Sequence, residues 1–278
     1  MTRAFVSQDG SDGNNCSLAT PCRTFAKVVT VVDTDGEVLV LDSAGYGPVT
    51  LTQSISLTAA PGVYAGITVA SGSGVTIAAN IDVVLRGLTI NGLGGADGIT
   101  MSGASNPSIE NCVISNFSGG GQHGVFVNSA ASVRIVDTLV RDNDIGIQLQ
   151  GGAVTDISGS KLLGNNTAIL ATSASIPFTS VIISDTVVTG GGTGIEAISS
   201  GTGSSRINMI RSSITNNLQG VASSASAGTA PVTLSDSMIT GNVIGYSKGT
   251  GGSLVSLGNN TITDNGSNTG PLTPLLLQ

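Results

Sequence analysis

The 278 residues contain no tryptophan, 3 per cent aromatics, 10 per cent charged residues and a single histidine, His123. So few large rings suit thin layers filled by small aliphatic side chains. No apolar run reaches 18 residues, which speaks against a membrane-spanning helix. Ten basic and 17 acidic residues, net −7, are spread without blocks. Nucleic acid, which needs clustered Lys and Arg, is therefore not an expected partner. Cys16 and Cys22 have no further Cys or His near them, as a metal site there would need. What abounds is glycine, 40 residues of it, and a 40 per cent hydrophobic fraction too regularly placed for a disordered chain.

That regularity is a repeat. From about Val83 to Asn265 the aliphatics Ile90, Ile114, Val140, Leu163, Val188, Ile214, Ile239 and Ile262 recur at steps of 24, 26, 23, 25, 26, 25 and 23 residues. A fixed period of this size marks a solenoid. Five positions earlier stand Leu85, Ile109, Ile135, Ile183, Met209, Leu234 and Leu257, a column broken by Ser158 with Ile157 beside it. Further on, a small residue precedes an apolar one, from Gly98-Ile99 and Gly124-Val125 to Gly245-Tyr246. Each unit thus offers three short strands separated by Gly, Asn, Asp and Ser turns. Helical and leucine-rich repeats would need an apolar spacing of three and four, which no unit has. The predicted fold is all-β: a single-stranded right-handed parallel β-helix of roughly ten coils of about 25 residues, one domain over 1–278, with coils over 37–266.

Two polar columns accompany the strands. Three residues past the aligned aliphatic stand Asn143, Asn166, Asn217, Asn242 and Asn265, with Gly191 as the exception. Stacked asparagines are expected to bond coil to coil as a ladder. Three residues before it stand Asn111, Asp137, Ser160, Asp185, Asp236 and Asn259. Interleaved Asn and Ser favour a turn ladder there over a row of metal ligands. Cys112, equivalent to Leu88, Thr138 and Ser212, reads as small packing, not a nucleophile.

The ends leave the repeat. Residues 1–36 form an expected cap, in which Thr24–Val32 is the one plausible helix, with Phe25, Val28, Val29 and Val32 on one face. Such a helix would plug the open end of the apolar stack. Cys16 and Cys22 bracket a small loop that a disulfide could close, as against two free surface thiols. A disulfide implies an oxidising compartment. No basic segment followed by an apolar one stands at Met1, so the chain is either cytoplasmic or lacks its signal peptide in this sequence. The cysteines favour the second reading, a secreted or cell-envelope protein. The apolar tail, 267–278, is expected to cover the last coil, with a subunit contact as the alternative.

Phe5-Val-Ser followed by Gly10-Ser-Asp, then Cys16 and Pro21-Cys-Arg-Thr-Phe-Ala, resembles the amino-terminal cap of secreted bacterial right-handed β-helix proteins of the pectate-lyase-like superfamily. Together with the coils, the resemblance covers nearly the whole chain. It implies fold and compartment. It does not imply one activity, because that superfamily holds lyases, hydrolases, epimerases and members without demonstrated catalysis.

Members that cleave acidic polysaccharides carry either acidic residues for calcium with an Arg or Lys base, or Asn-Thr-Asp, Asp-Asp, Gly-His-Gly and Arg-Ile-Lys motifs, since hydrolysis needs paired carboxylates. Only Gln122-His123-Gly124 keeps part of one, and His123 has no carboxylate close in sequence, which makes it an expected solvated turn residue. If Ile99, Val125 and their equivalents face inward, then Thr100, Phe126, Gln148, Leu170, Glu196, Ala222 and Ser247 face outward. Phe126, Gln148 and Glu196, with His123, are the candidate sugar-binding strip; unrelated surface residues are the alternative. Arg141, Arg206, Arg134 and Arg211 fall in different columns. The leading reading is a non-catalytic extracellular protein, structural or glycan-contacting, without cofactor or metal. The alternative is a divergent lyase or glycoside hydrolase acting on an acidic polysaccharide, and calcium enters only there.

Two outward columns complete the reading. Asn91, Ser115, Arg141, Gly164, Thr189, Thr215, Thr240 and Thr263 end in four successive threonines, an array that resembles ice-binding faces; ordinary β-propensity explains it as well. Before each aligned aliphatic, Val113, Leu139, Leu162 and Val187 would form an apolar strip for weak self-association or a partner contact, unless a loop such as Ser173–Pro177 covers it.

Overall fold

The computed structural model describes residues 1–175 and 178–275. Three parallel sheets run its length. The long sheet has twelve strands, Arg3–Val6 to Thr273–Pro274. The second sheet has ten, Ala44–Gly45 to Thr261–Thr263, and the third has ten, Val49–Leu51 to Ser267–Thr269. The chain visits long, second and third sheets in turn, and each strand pairs with its equivalent one coil away. This is a parallel β-helix, and ten strands per short sheet match the expected number of coils.

Coil stacking puts chemically alike residues in contact. Leu85, Ile109, Ile135, Ile157, Ile183, Met209 and Leu234 form one inward column of the long sheet. Ile99, Val125, Ile147, Ile169, Ile195 and Val221 form one of the third sheet. Every member is 0–2 per cent exposed. Each such side chain contributes on the order of 1.5–3 kcal/mol by leaving water.

Two coils depart from the expected alignment. In the later one Leu234 pairs with Ser256, which replaces the half-buried Leu257 in the column. In the earlier one Val140 pairs with Leu162, and Leu162 with Val188, so Leu162 replaces Leu163 in the buried column. In the coils from Leu85 to Leu234 the turn from the long to the second sheet keeps a five-residue step, as from Leu85 to Ile90 and from Ile135 to Val140. Ile157, which fills the supposed gap at Ser158, therefore selects Leu162. Three corrections follow. The strip Val113–Leu139–Leu162–Val187 is not contiguous, because Leu162 is core and the Lys161 ammonium stands between Leu139 and Val187. Leu163, not Gly164, precedes the threonine row. The ladder residue of this coil is Asn165, which is 1 per cent exposed, not Asn166.

The asparagine ladder is real, in two runs. Asn143 Nδ2 donates to Asn165 Oδ1 at 2.9 Å. Asn217 Nδ2 donates to Asn242 Oδ1 and Asn242 Nδ2 to Asn265 Oδ1, at 3.1 and 3.0 Å. Gly191 separates the runs; its N–H donates to Asn217 Oδ1. Each amide satisfies buried backbone groups that would cost about 1–3 kcal/mol if orphaned. The other polar column is a turn column: Asn111, Asp137, Asp185 and Asp236 hold φ of 44–52°, a left-handed conformation that Asn and Asp tolerate. Glycine occupies it in both shifted coils, Gly159 in place of Ser160 and Gly258 in place of Asn259. One residue on, Thr138, Ser160, Ser212 and Ser237 form a buried hydroxyl ladder, and Cys112 N–H donates into it at Thr138 Oγ1.

At the amino-terminal end Cys16 and Cys22 form a disulfide, and both are buried. The helix is one turn, Phe25–Val28, not Thr24–Val32; Thr24 caps it by accepting from Lys27 N–H. Val28-Val29-Thr30-Val31-Val32 is a β-branched run that resists helix extension. At the other end Thr273–Pro274 adds a strand to the long sheet beside Val255 and Ser256, and Leu272 packs against the core. The rest of the expected cover, 276–278, lies outside the described residues.

Candidate functional site

Two variations in coil length shape the outer face of the third sheet. The step from second to third sheet is seven residues in the later coils, Val140 to Ile147 for example, but eleven from Ile114 to Val125. The excess is the loop around Gly119–Gln122, just before His123. The step from third to long sheet grows from ten residues, Ile147 to Ile157, to fourteen, Ile169 to Ile183. The enlarged turn lies beside a cleft of about 390 Å³ lined by Asn128, Gln150, Thr172, Ser173 and Ser200 among others. Between the two features lies the outward column, with Thr100, Phe126, Gln148, Leu170, Glu196, Ala222 and Ser247 in the expected register.

Three of the four candidate residues come together. His123 Nδ1 lies 2.7 Å from Asp97 Oδ1, and Nε2 lies 2.9 Å from Gln148 Oε1. The imidazole stacks on Phe126 with centroids 4.5 Å apart and planes 13° apart. Its side chain is 12 per cent exposed and that of Asp97 is 14 per cent. His123 is thus a fixed member of a network, not a solvated turn residue. Its carboxylate partner is 26 residues away in sequence but one coil away in space, and the two are directly paired. Sequence reasoning missed Asp97 because only the column after Gly98 and Gly124 was stacked; the position before those glycines holds Asp97 and His123.

The network continues along the coils. Ser73 Oγ donates to Asp97 Oδ2 at 3.2 Å. Gln148 Nε2 donates to Gln150 Oε1 at 3.0 Å, which also accepts from Thr172 Oγ1 at 3.2 Å. Glu196 stands apart from it, beyond Leu170. Burial pushes the Glu196 carboxyl above its ordinary value. Asp97 and Glu196 are four coils apart, about 19 Å at ~4.8 Å per coil, too far to act as a hydrolytic pair.

A second concavity, about 410 Å³, lies on the outer face of the long sheet. Asp82, Asn106, Ser108 and Arg134 help to line it, and Asn106 Nδ2 donates to Asp82 Oδ1 at 2.7 Å. Arg134 forms no ion pair among the described residues, in contrast to Arg86, Arg141 and Arg211, which bind Glu110, Asp142 and Asp185. No three His, Cys, Asp or Glu side chains converge as a metal site among the described residues, and no described helix is long and apolar enough to cross a membrane.

Several solved structures share this architecture. Pectate lyase Pel9A is 14 per cent identical, with a TM-score of 0.69 over 95 per cent of this chain and 78 per cent of its own. An alginate lyase from Paenibacillus sp. str. FPU-7 is 12 per cent identical, TM-score 0.69, over 99 and 100 per cent. A polygalacturonase from Erwinia carotovora ssp. carotovora is 12 per cent identical, TM-score 0.56, over 100 and 98 per cent. At these identities the likeness is one of fold. No curated protein matches in sequence. The family model for the right-handed beta helix region matches residues 65–266, and with the three stacked sheets this places the chain in the right-handed β-helix family.

Proposed function

We propose that this protein is a non-catalytic, secreted or cell-envelope β-helix that holds a polysaccharide along the outer face of its third sheet. One observation carries the reading: Phe126, backed by His123, lies in register with Gln148, Leu170 and Glu196. An aromatic ring beside apolar and hydrogen-bonding side chains matches the C–H faces and hydroxyls of a sugar chain. The titratable groups of this strip are Asp97, His123 and Glu196, with no Lys or Arg, so a neutral glycan suits it better than a polyuronate. The Cys16–Cys22 disulfide supports the compartment. Affinity electrophoresis through neutral and acidic polysaccharides tests the reading. Phe126→Ala should abolish retardation by a neutral glycan while the fold persists. Unchanged mobility of this variant would overturn it.

The second reading, a divergent lyase or hydrolase on an acidic polysaccharide, draws on the other face. The unpaired Arg134 guanidinium beside Asp82 and Asn106 could receive a carboxylate, and pectate and alginate lyases share the fold. Release of unsaturated or reducing ends, with or without calcium, that is lost in Arg134→Ala and kept in Phe126→Ala would establish it over the first.

A further inference from the structure

With Asp97 ionised, the hydrogen bonds around His123 contain a conflict that only two arrangements resolve. A carboxylate only accepts, so the 2.7 Å contact with Asp97 requires a proton on Nδ1. Nε2 faces Gln148 Oε1, also an acceptor, at 2.9 Å. With both nitrogens donating, His123 is an imidazolium. A neutral imidazole with its proton on Nδ1 needs a donor at Nε2, and Gln148 supplies one by turning its amide end for end. Gln148 Oε1 then faces Gln150, whose amide must turn as well to present Nε2, and the Thr172 hydroxyl becomes the acceptor. Each protonation state of His123 thus selects one setting of two amides.

Gln150 is among the residues that line the cleft, beside its hydrogen-bond partner Thr172. While His123 is charged, Gln150 Oε1 is occupied by Gln148 and Thr172, and its Nε2–H is a donor without a protein partner among the described residues. Once His123 is neutral, Gln150 offers a free acceptor. Of the groups a glycan carries, a hydroxyl can meet either setting, whereas an acyl carbonyl meets only the donor. A carboxylate would also meet it, but Asp97 and Glu196 lie on this face without a neighbouring Lys or Arg. We propose that the cleft beside Gln150 is a subsite for the acetyl carbonyl of a neutral glycan, switched on when His123 is protonated and read out through Gln148 and Gln150. This rests on the glycan reading above.

The groups facing His123 are few. Asp97 comes from the preceding coil, Gln148 from the following one, and Phe126 from its own strand. In the adjoining loop, Gln122 Oε1 is taken by Gly119 N–H, and Asp144 by Gly121 N–H and Asn166 Nδ2. Asp97 is therefore the carboxylate that couples to the ring.

Acetylated xylo-oligosaccharides and the same pool after mild deacetylation provide the binding probe, with NMR of the His123 ring nitrogens and the Gln side-chain amides as the ligand-free readout. Below the His123 titration point, the acetylated pool should bind about fivefold more tightly, as expected for one hydrogen bond. Above it the preference should vanish. Gln150→Glu, isosteric and acceptor-only while ionised, should remove it at every pH at which that carboxylate is ionised. The Gln148 and Gln150 amide signals should move with the His123 titration in the free protein. Amides indifferent to that titration would refute the relay. Equal binding of both pools at all pH values would refute the subsite while leaving the glycan reading intact, and binding of neither pool would overturn both.

Discussion

At the amino-terminal end of the solenoid Phe25, Val28 and Tyr46 are fully buried, and the Phe25 and Tyr46 rings meet at 5.3 Å. At the carboxy-terminal end Ile262 is half-buried between the exposed Thr261 and Thr263, and Leu275 is exposed. The coils between are nearly uniform, so the ends show what a coil loses without a neighbour. Closing an end takes residues larger than the repeat supplies, and this chain, with five Phe and three Tyr in all, buries two of those rings, Phe25 and Tyr46, at its start. The Tyr46 hydroxyl bonds Asp42, which also accepts from Ser7 Oγ and Gln8 N–H, and Arg23 lies over the ring.

The sharpest break of this contrast is Tyr46→Ala. It removes a buried ring from the closed end and should cost about 3–5 kcal/mol in urea unfolding. Loss below 1 kcal/mol would mean that the end is closed by other groups. Replacing Cys16 and Cys22 with serine should cost about 2 kcal/mol, since the loop they close is short. The same loss should appear in the wild type under reducing conditions.

Acid should loosen the first end selectively. Burial raises the Asp42 carboxyl, but hydrogen bonds from Ser7, Tyr46 and Gln8 outweigh it and hold the group below its ordinary value. Asp12 is likewise lowered on balance, by bonds from Thr24 and from Arg23 N–H against the effect of burial. A carboxyl depressed in the folded state stabilises it above the unfolded-state value, and that stability is lost as pH falls through the folded value. Hydrogen-exchange protection over residues 1–50, taken relative to the intrinsic rate at each pH, should therefore fall on acidification more than protection over 130–240. A uniform loss of protection would count against it. The smallest effect belongs to the open end: Leu272→Ala, at a half-buried side chain, should cost under about 1 kcal/mol in urea unfolding and leave the proposed binding face intact.

How far the chain could be read follows from what a column contains. Where equivalent positions differ, as with Gly98-Ile99 and its counterparts, the register is unambiguous and the outward strip from Thr100 to Ser247 falls where the period puts it. Where like residues adjoin, it fails. Leu162-Leu163 and Asn165-Asn166 offer two alignments each, and hydrogen bonding with the neighbouring coils selects one. The Asp97–His123 pair had a signal at the same period, one residue before the stacked glycines. The relay through Gln148 and Gln150 had none, since it depends on side-chain orientation.

By itself the sequence determined the period, the three strands per coil and the polar turns. Every coil must bond to another like itself, so each column repeats its chemistry along the chain. The tertiary structure alone decided which of two adjacent leucines is core, how short the cap helix is, and that the lone histidine is half-buried against a carboxylate. Those outcomes depend on contacts between coils and on packing at an end, where local pattern leaves more than one arrangement and burial with hydrogen bonding selects among them.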